Sequence, residues 1–244
     1  MKKRISFLLV LAMVLTMAAC GNTANAPTTE ASSAAAETLG LTEAAPESRV
    51  IMDAAGRTVE IPAEVNQVVC VGVGALRYTC YVGGADRVVG VEDYETKPGM
   101  SRLYNYVNFD KFKDLPVIGT NGEPFVEEIV GVDPQVIVMS SYAKQDADEL
   151  SEKTGIPVVV VPGSDTTLDD KAYETIRILG ELYGLEDRAE TLTSYLRGVQ
   201  KDLDDRTASI SEESKPACYV GGVSFKGQHG FEGTEAYYGP FELI

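Results

Sequence analysis

The chain has no tryptophan, a single histidine and few cations, with 21 Lys+Arg against 37 Asp+Glu in 244 residues. Each scarcity excludes a class of function. One histidine, His229, cannot build a multi-histidine zinc or manganese centre, and no HExxH, GxSxG or P-loop pattern occurs. A Ser-His-Asp hydrolase would have to use that histidine with no nucleophile elbow to serve. A formal net charge of −16 repels phosphate backbones and anionic headgroups, which argues against nucleic-acid binding and polybasic membrane docking. Cys70, Cys80 and Cys218 lack CxxC spacing and so read as buried free thiols rather than a zinc site or disulfide framework. A Cys70–Cys80 bridge stays open, since no spacing rule settles it.

What is present begins with an export signal. Lys2, Lys3 and Arg4 precede an uncharged apolar run from Ile5 to Ala19 that is too short to span a bilayer comfortably. The run ends in Met17-Ala18-Ala19-Cys20-Gly21, which resembles the lipobox of bacterial lipoproteins, with Cys20 as the lipidated N-terminus of the mature chain. An ordinary cleaved signal is the alternative. From Gly21 to Ser48 the chain holds no aromatic and no basic residue, so it cannot bury enough surface to fold. It reads as a tether between a lipid anchor and a domain.

Val50 to Pro62 alternates around Asp53-Ala54-Ala55-Gly56, which predicts a β-hairpin closed by a Gly-containing turn. β-Branched runs at Val68–Val71, Val88–Val91, Val136–Met139 and Val158–Val161 then alternate with helical or mixed stretches at Ala75–Val82, Phe125–Val130 and Lys144–Lys153. Near-continuous apolar strands separated by helices predict a parallel sheet covered on both faces. Thr166 to Asp170 carries a helix-start signal. Ile176, Leu179 and Leu182 form one helical stripe, Gly184 interrupts, and Ala189, Leu192, Leu196, Val199 and Leu203 form a second. A helix from Glu186 to about Ala208 would be roughly 33 Å long and able to act as a strut. Beyond it, Ala217–Val220 reads as a strand opening a second domain, and the chain stops on the apolar run Phe241 to Ile244.

Gly72-Val73-Gly74 follows the first predicted sheet strand, and Glu92 ends the next. This mimics a dinucleotide fingerprint, but Arg77 stands where the last glycine belongs, so the glycines read as a tight strand-to-helix turn. In an open parallel sheet the loops at the carboxyl ends of the strands form the ligand crevice, which would put Gly74, Arg77, Tyr94 and Tyr142 on one rim. Lys226 and His229, in the Gly-rich loop after Val220, offer donors to an anionic ligand. Ordinary surface packing of the tyrosines and a solvated loop are the competing readings.

Several stretches together carry a family likeness. Asp53 to Pro62, Gly84 to Val91, Leu115 to Thr120, Glu127-Glu128-Ile129 leading to Asp133-Pro134-Gln135-Val136-Ile137-Val138, Thr154 to Val161, and Leu179-Gly180-Glu181 through Ala189 resemble the ABC-transporter solute-binding lipoproteins of the iron-siderophore, haem and cobalamin group. The resemblance covers Val50 to about Ile244. It implies two α/β lobes joined by one long helix, with ligand held between them, and a first-lobe glutamate, here Glu127 with Glu128 as the substitute candidate, that docks on permease arginines. The family needs two complete lobes, so the chain is expected to be C-terminally truncated.

The expected organisation is a signal peptide at 1–19, a lipidated Cys20 and disordered tether over 20–48, a Rossmann-like lobe over 49–165, a long-helix region over 166–210, and an incomplete α/β lobe over 211–244. The expected function is an extracytoplasmic, lipid-anchored monomer that performs no catalysis and needs no cofactor. It would capture an iron-siderophore-type chelate and deliver it to an ABC permease and ATPase complex. Arg77, Arg102 and Lys226 would pair with carboxylate or catecholate oxygens, while Tyr94, Tyr142 and His229 would pack against or hydrogen-bond the ligand rim. Cobalamin or haem binding is the alternative within this reading; a dinucleotide-dependent enzyme resting on Gly72, Gly74 and Glu92, and a purely structural surface lipoprotein, lie outside it.

Overall fold

The computed structural model describes residues 47–163, 168–222, 230–234 and 238–242. The expected signal peptide, Cys20 and nearly all of the expected tether lie outside the described residues, as do Lys226 and His229.

The hairpin forms as its alternation predicts. β1 (Ser48–Met52) pairs antiparallel with β2 (Thr58–Pro62), and β1 begins on the last residue read as tether. Ile51 and Ile61 point inward while their neighbours face solvent. The turn between the strands then docks on the main sheet through Asp53, whose buried carboxylate accepts from the amides of Ala55, Arg57 and Val160.

That sheet has six strands: β3 (Val68–Val71), β4 (Val88–Glu92), β5 (Val117–Thr120), β6 (Glu123–Pro124), β7 (Val136–Ser140) and β8 (Val158–Val161). They lie in the order β6-β5-β4-β3-β7-β8, all parallel except β6. The four valine-rich runs are all strands, and β3, β7 and β8 are buried along their whole length, as expected for a sheet covered on both faces. β5 and β6 were not expected from the sequence.

Helices cover both faces. α1 (Ala75–Val82) and α5 (Asp170–Tyr183) pack with Val68, Cys70, Val138 and Val159 on one side. α3 (Val126–Val132) and α4 (Ala147–Thr154) contribute Ile129 and Leu150 to a second core with Val69, Val71, Ile137 and Val158. α2 (Leu103–Phe112), absent from the sequence reading, inserts Phe112 into the first core. The start of α5 is capped by Asp169, which accepts from Ala172 N at 2.7 Å, within the stretch that carried the start signal.

α6 (Glu186–Thr207) is one continuous helix, as the second stripe predicts, following Gly184 at φ +64°. It packs closely on α5: a Cβ on Gly180 would lie 2.5 Å from that of Ala189. Beyond it the expectation fails at one point. Ala217–Val220 forms no strand and is exposed apart from a partly covered Val220, its apolar residues finding no neighbouring strand among the described residues to share hydrogen bonds with. Tyr219 instead packs on Phe231, ring centroids 5.7 Å apart, and a four-residue helix, α7 (Gly239–Glu242), follows.

Cys70 is buried and Cys80 half-buried, both as free thiols, but Cys218 is exposed, which corrects the expectation that all three are buried. It sits on the exposed segment read as a strand, where there is no core to receive it.

Candidate functional site

The sheet order reverses at β3. The chain leaves β3 toward β4 and β5 on one side and returns to β7 and β8 on the other, so the loops after β3 and β7 diverge at the carboxyl edge. Gly72, at φ +86°, permits the close approach of those loops: a Cβ there would lie 2.6 Å from Ser140 Oγ. Gly74, at φ +93°, then turns the chain into α1, and Tyr78 N donates to its carbonyl at 3.0 Å.

Beside this turn lies a cleft of about 420 Å³, lined by Val73, Gly74, Arg77, Tyr81, Tyr94, Ser101, Arg102, Leu103 and Tyr104. Four expected residues thus meet: Gly74 and Arg77 from the start of α1, Tyr94 from the one-turn 3-10 helix Asp93–Thr96 after β4, and Arg102 at the N-cap of α2. Tyr142 is on the same carboxyl edge, following β7, but outside this lining, with its ring over Gly163. Glu127 is on the first turn of α3, exposed together with Glu128.

Sequence reasoning missed Val73, which lies between the two glycines of the turn, and Tyr81, Ser101, Leu103 and Tyr104. Tyr81 was legible as the residue one helical turn after Arg77. Leu103 and Tyr104 open α2 and Ser101 precedes its N-cap; the exposed Leu103, Tyr106 and Val107 of that helix give no core-facing stripe.

Beneath the cleft lie two buried carboxylates, Glu92 at 3% exposure and Glu95 at 1%. Glu92 accepts from Gly122 N at 2.6 Å and from the Tyr94 hydroxyl at 3.1 Å. Glu95 accepts from the Tyr104 hydroxyl at 2.5 Å, Asn105 Nδ2 at 2.8 Å and Arg102 Nη1 at 3.3 Å. Burial pushes both carboxyls above their ordinary value, partly offset by these hydrogen bonds. The Tyr94 and Tyr104 phenols are driven well above theirs, first by desolvation and then by the carboxylates they face. Both phenols are therefore neutral donors turned to the floor, and their rings are left to form the cleft walls. The Arg102 guanidinium also lies 5.1 Å from the Tyr94 ring centroid and donates to Tyr94 O at 2.9 Å and Lys97 O at 3.0 Å.

This arrangement suits recognition. Two guanidinium groups bring positive charge, that of Arg102 held by Tyr94 O, Lys97 O and Glu95, while three tyrosines offer flat apolar surface, and Val73 and Leu103 extend it. Among the described residues no group of three His, Cys, Asp or Glu side chains is placed to hold a metal ion. Glu92 faces the backbone and Tyr94, so it is not presented to a dinucleotide ribose.

Comparison with known proteins agrees with the fold. The chain is 27% identical over 225 residues, 90% of its length, to the uncharacterized ABC transporter substrate-binding lipoprotein YvrC of Bacillus subtilis, covering 64% of that protein. It is 22% identical over 191 residues to the molybdate-binding protein MolA of Haemophilus influenzae, covering 53% of it. The chain thus spans between about half and two-thirds of the length of these curated relatives. The solved structure of MolA bound to molybdate superposes with a TM-score of 0.58 at 20% identity, over 68% of this chain and 56% of that one. The catecholate-siderophore binding protein VctP of Vibrio cholerae superposes with a TM-score of 0.53 at 24% identity, over 66% and 55%. At these identities the superpositions establish the fold alone. The family model described as periplasmic binding protein matches residues 68–231, the greater part of the chain, which therefore belongs to the periplasmic binding protein family, a family of solute-binding proteins and not of enzymes.

Proposed function

We propose that this chain is the substrate-binding lipoprotein of an ABC importer, anchored outside the cytoplasm through Cys20, and that it captures an iron-siderophore-type metal chelate. The observation that carries the reading is the cleft at the carboxyl edge of the sheet, where Arg77 and Arg102 stand among Tyr81, Tyr94 and Tyr104. Cations suit carboxylate or catecholate oxygens, and aromatic walls suit a bulky organic shell. A metal already enclosed by its chelator needs no ligand from the protein. The hydroxyls of Tyr94 and Tyr104 are engaged by Glu92 and Glu95, which favours such a complete chelate over haem held by either tyrosine. Lys226 and His229 would complete the grip from the segment that follows Val220.

Delivery would use Glu127, exposed on α3, as a handle for cationic permease residues. The division into a first lobe over 49–165, a long-helix region and a second lobe is part of the same proposal.

Native mass spectrometry of the chain, offered ferric siderophores, cobalamin, haem and molybdate together, tests the reading. Retention of a ferric siderophore is expected. Retention of only one of the others would reassign the ligand, and retention of none would overturn the proposal.

A further inference from the structure

We infer that Glu95, which lies beneath the cleft and outside its lining, is a positioning residue that sets the charge the cleft presents and so biases it toward chelates of low negative charge. This rests on the chelate-binding reading above.

Arg102 is held by four groups. Tyr94 O and Lys97 O accept from Nη1 and Nη2 at 2.9 and 3.0 Å, the Tyr94 ring lies 5.1 Å away, and Glu95 Oε2 accepts from Nη1 at 3.3 Å. The first three fix the guanidinium without neutralising it. Glu95 is the one anion of the four. Among the described residues, each hydrogen bond to its side chain is donated to it, from Tyr104, Asn105 and Arg102, a donor set that suits the ionised carboxylate. Arg102 therefore enters the cleft as half of an ion pair whose other half is almost wholly buried. Glu92, on the far side of the Tyr94 hydroxyl, adds negative potential to the same floor. A multiply anionic ligand meets a cation already partly compensated, whereas a neutral one loses little. The field acts at short range in a partly desolvated site, where salt screens it weakly.

The conservative variant Glu95→Gln keeps the shape, and Tyr94 O and Lys97 O still hold Arg102. Binding of two probes would be followed by tyrosine fluorescence: the trianionic ferric tris-catecholate complex and a neutral ferric trihydroxamate. E95Q should bind the trianion about tenfold tighter and the neutral chelate within about twofold of the parent. The double variant E95Q/R102Q should return the preference to that of the parent, since the cleft charge is restored. A purely structural Glu95 would change both affinities in parallel, and parallel or absent changes overturn the inference. Should E95Q fail to fold, R102Q and the double variant replace it: the trianion should bind R102Q about tenfold more weakly than the double variant, and equal affinities overturn the inference. If the parent binds neither chelate, the ligand reading fails by itself. Phenylglyoxal labelling of Arg102, read by peptide mass spectrometry, then decides the role of Glu95. Faster labelling in E95Q than in the parent supports it, and equal labelling overturns it.

Discussion

The carboxylate of Asp53 accepts from the amide of Val160 at 3.1 Å, so the hairpin turn is fastened to the outermost strand of the main sheet. The fastening is reciprocal. Ala54 N donates to Val160 O at 3.0 Å, and Arg57, paired with Asp53 at 2.6 Å, reaches Val158 O at 2.8 Å and Asp148 at 2.5 Å. Asp53→Ala would leave the amides of Ala55, Arg57 and Val160 without their acceptor and the guanidinium short of its buried partner. We expect a loss of about 3 kcal/mol, read as a lower urea midpoint with unchanged slope. A loss below about 1 kcal/mol would show that the clasp is dispensable.

Glu92 makes stability depend on pH in the sense opposite to an exposed ion pair. Burial raises its carboxyl above the ordinary 4.5, so the folded chain takes up this proton at higher pH than the unfolded chain does. The stability it contributes is thus lost as pH rises through the folded value and recovered on acidification toward 4.5. In Glu92→Gln that dependence disappears. The melting temperature of the parent relative to E92Q should therefore rise between pH 7 and about pH 5, checked by melts in matched buffers. A difference that stays constant or moves the other way would contradict the assignment.

The thiols should separate by reactivity. Burial pushes the Cys70 thiol up to about 12, and Cys80 is raised further for the same reason, so neither offers thiolate at neutral pH. Cys218 is exposed. A disulfide reagent added to the native protein should label Cys218 and spare the other two until denaturant is added, as peptide mapping would show. Rapid native labelling of Cys70 would mean that the face under α1 opens readily.

The contrast between β3 and α2 explains what could be read in advance. Val68–Val71 is buried on both faces, so composition alone marks it, and the same holds for β7 and β8. β5 holds Gly119 within four residues and is defined by its pairing with β4, a long-range fact that a local pattern does not contain. α2 buries Phe112 but leaves Leu103, Tyr106 and Val107 exposed, and of these only Leu103 lines the cleft, so periodicity was silent there. Ala217–Val220 shows the reverse error: a strand-like composition with no partner strand among the described residues. Gly74, Arg77 and Tyr94 were legible because the loops at the carboxyl ends of the strands form a known edge; the same rule named Tyr142, which lies at that edge but outside the cleft lining, whereas Arg102 was named only as a cation for anionic oxygens and its place depends on α2. Glu95 was not legible, since a carboxylate near a strand end reads as a surface charge until Tyr104 and Asn105 fold over it.

The two outer strands have a consequence for how copies of the chain meet one another. On one flank the Asp53 turn takes up backbone groups of β8 that would otherwise be open, and on the other β6 is only two residues long and ends in Pro124, which has no amide hydrogen to give. Neither flank offers a template on which a stray peptide strand could grow. Copies at high concentration would therefore resist zipping into fibrils, and the net negative charge would add mutual repulsion.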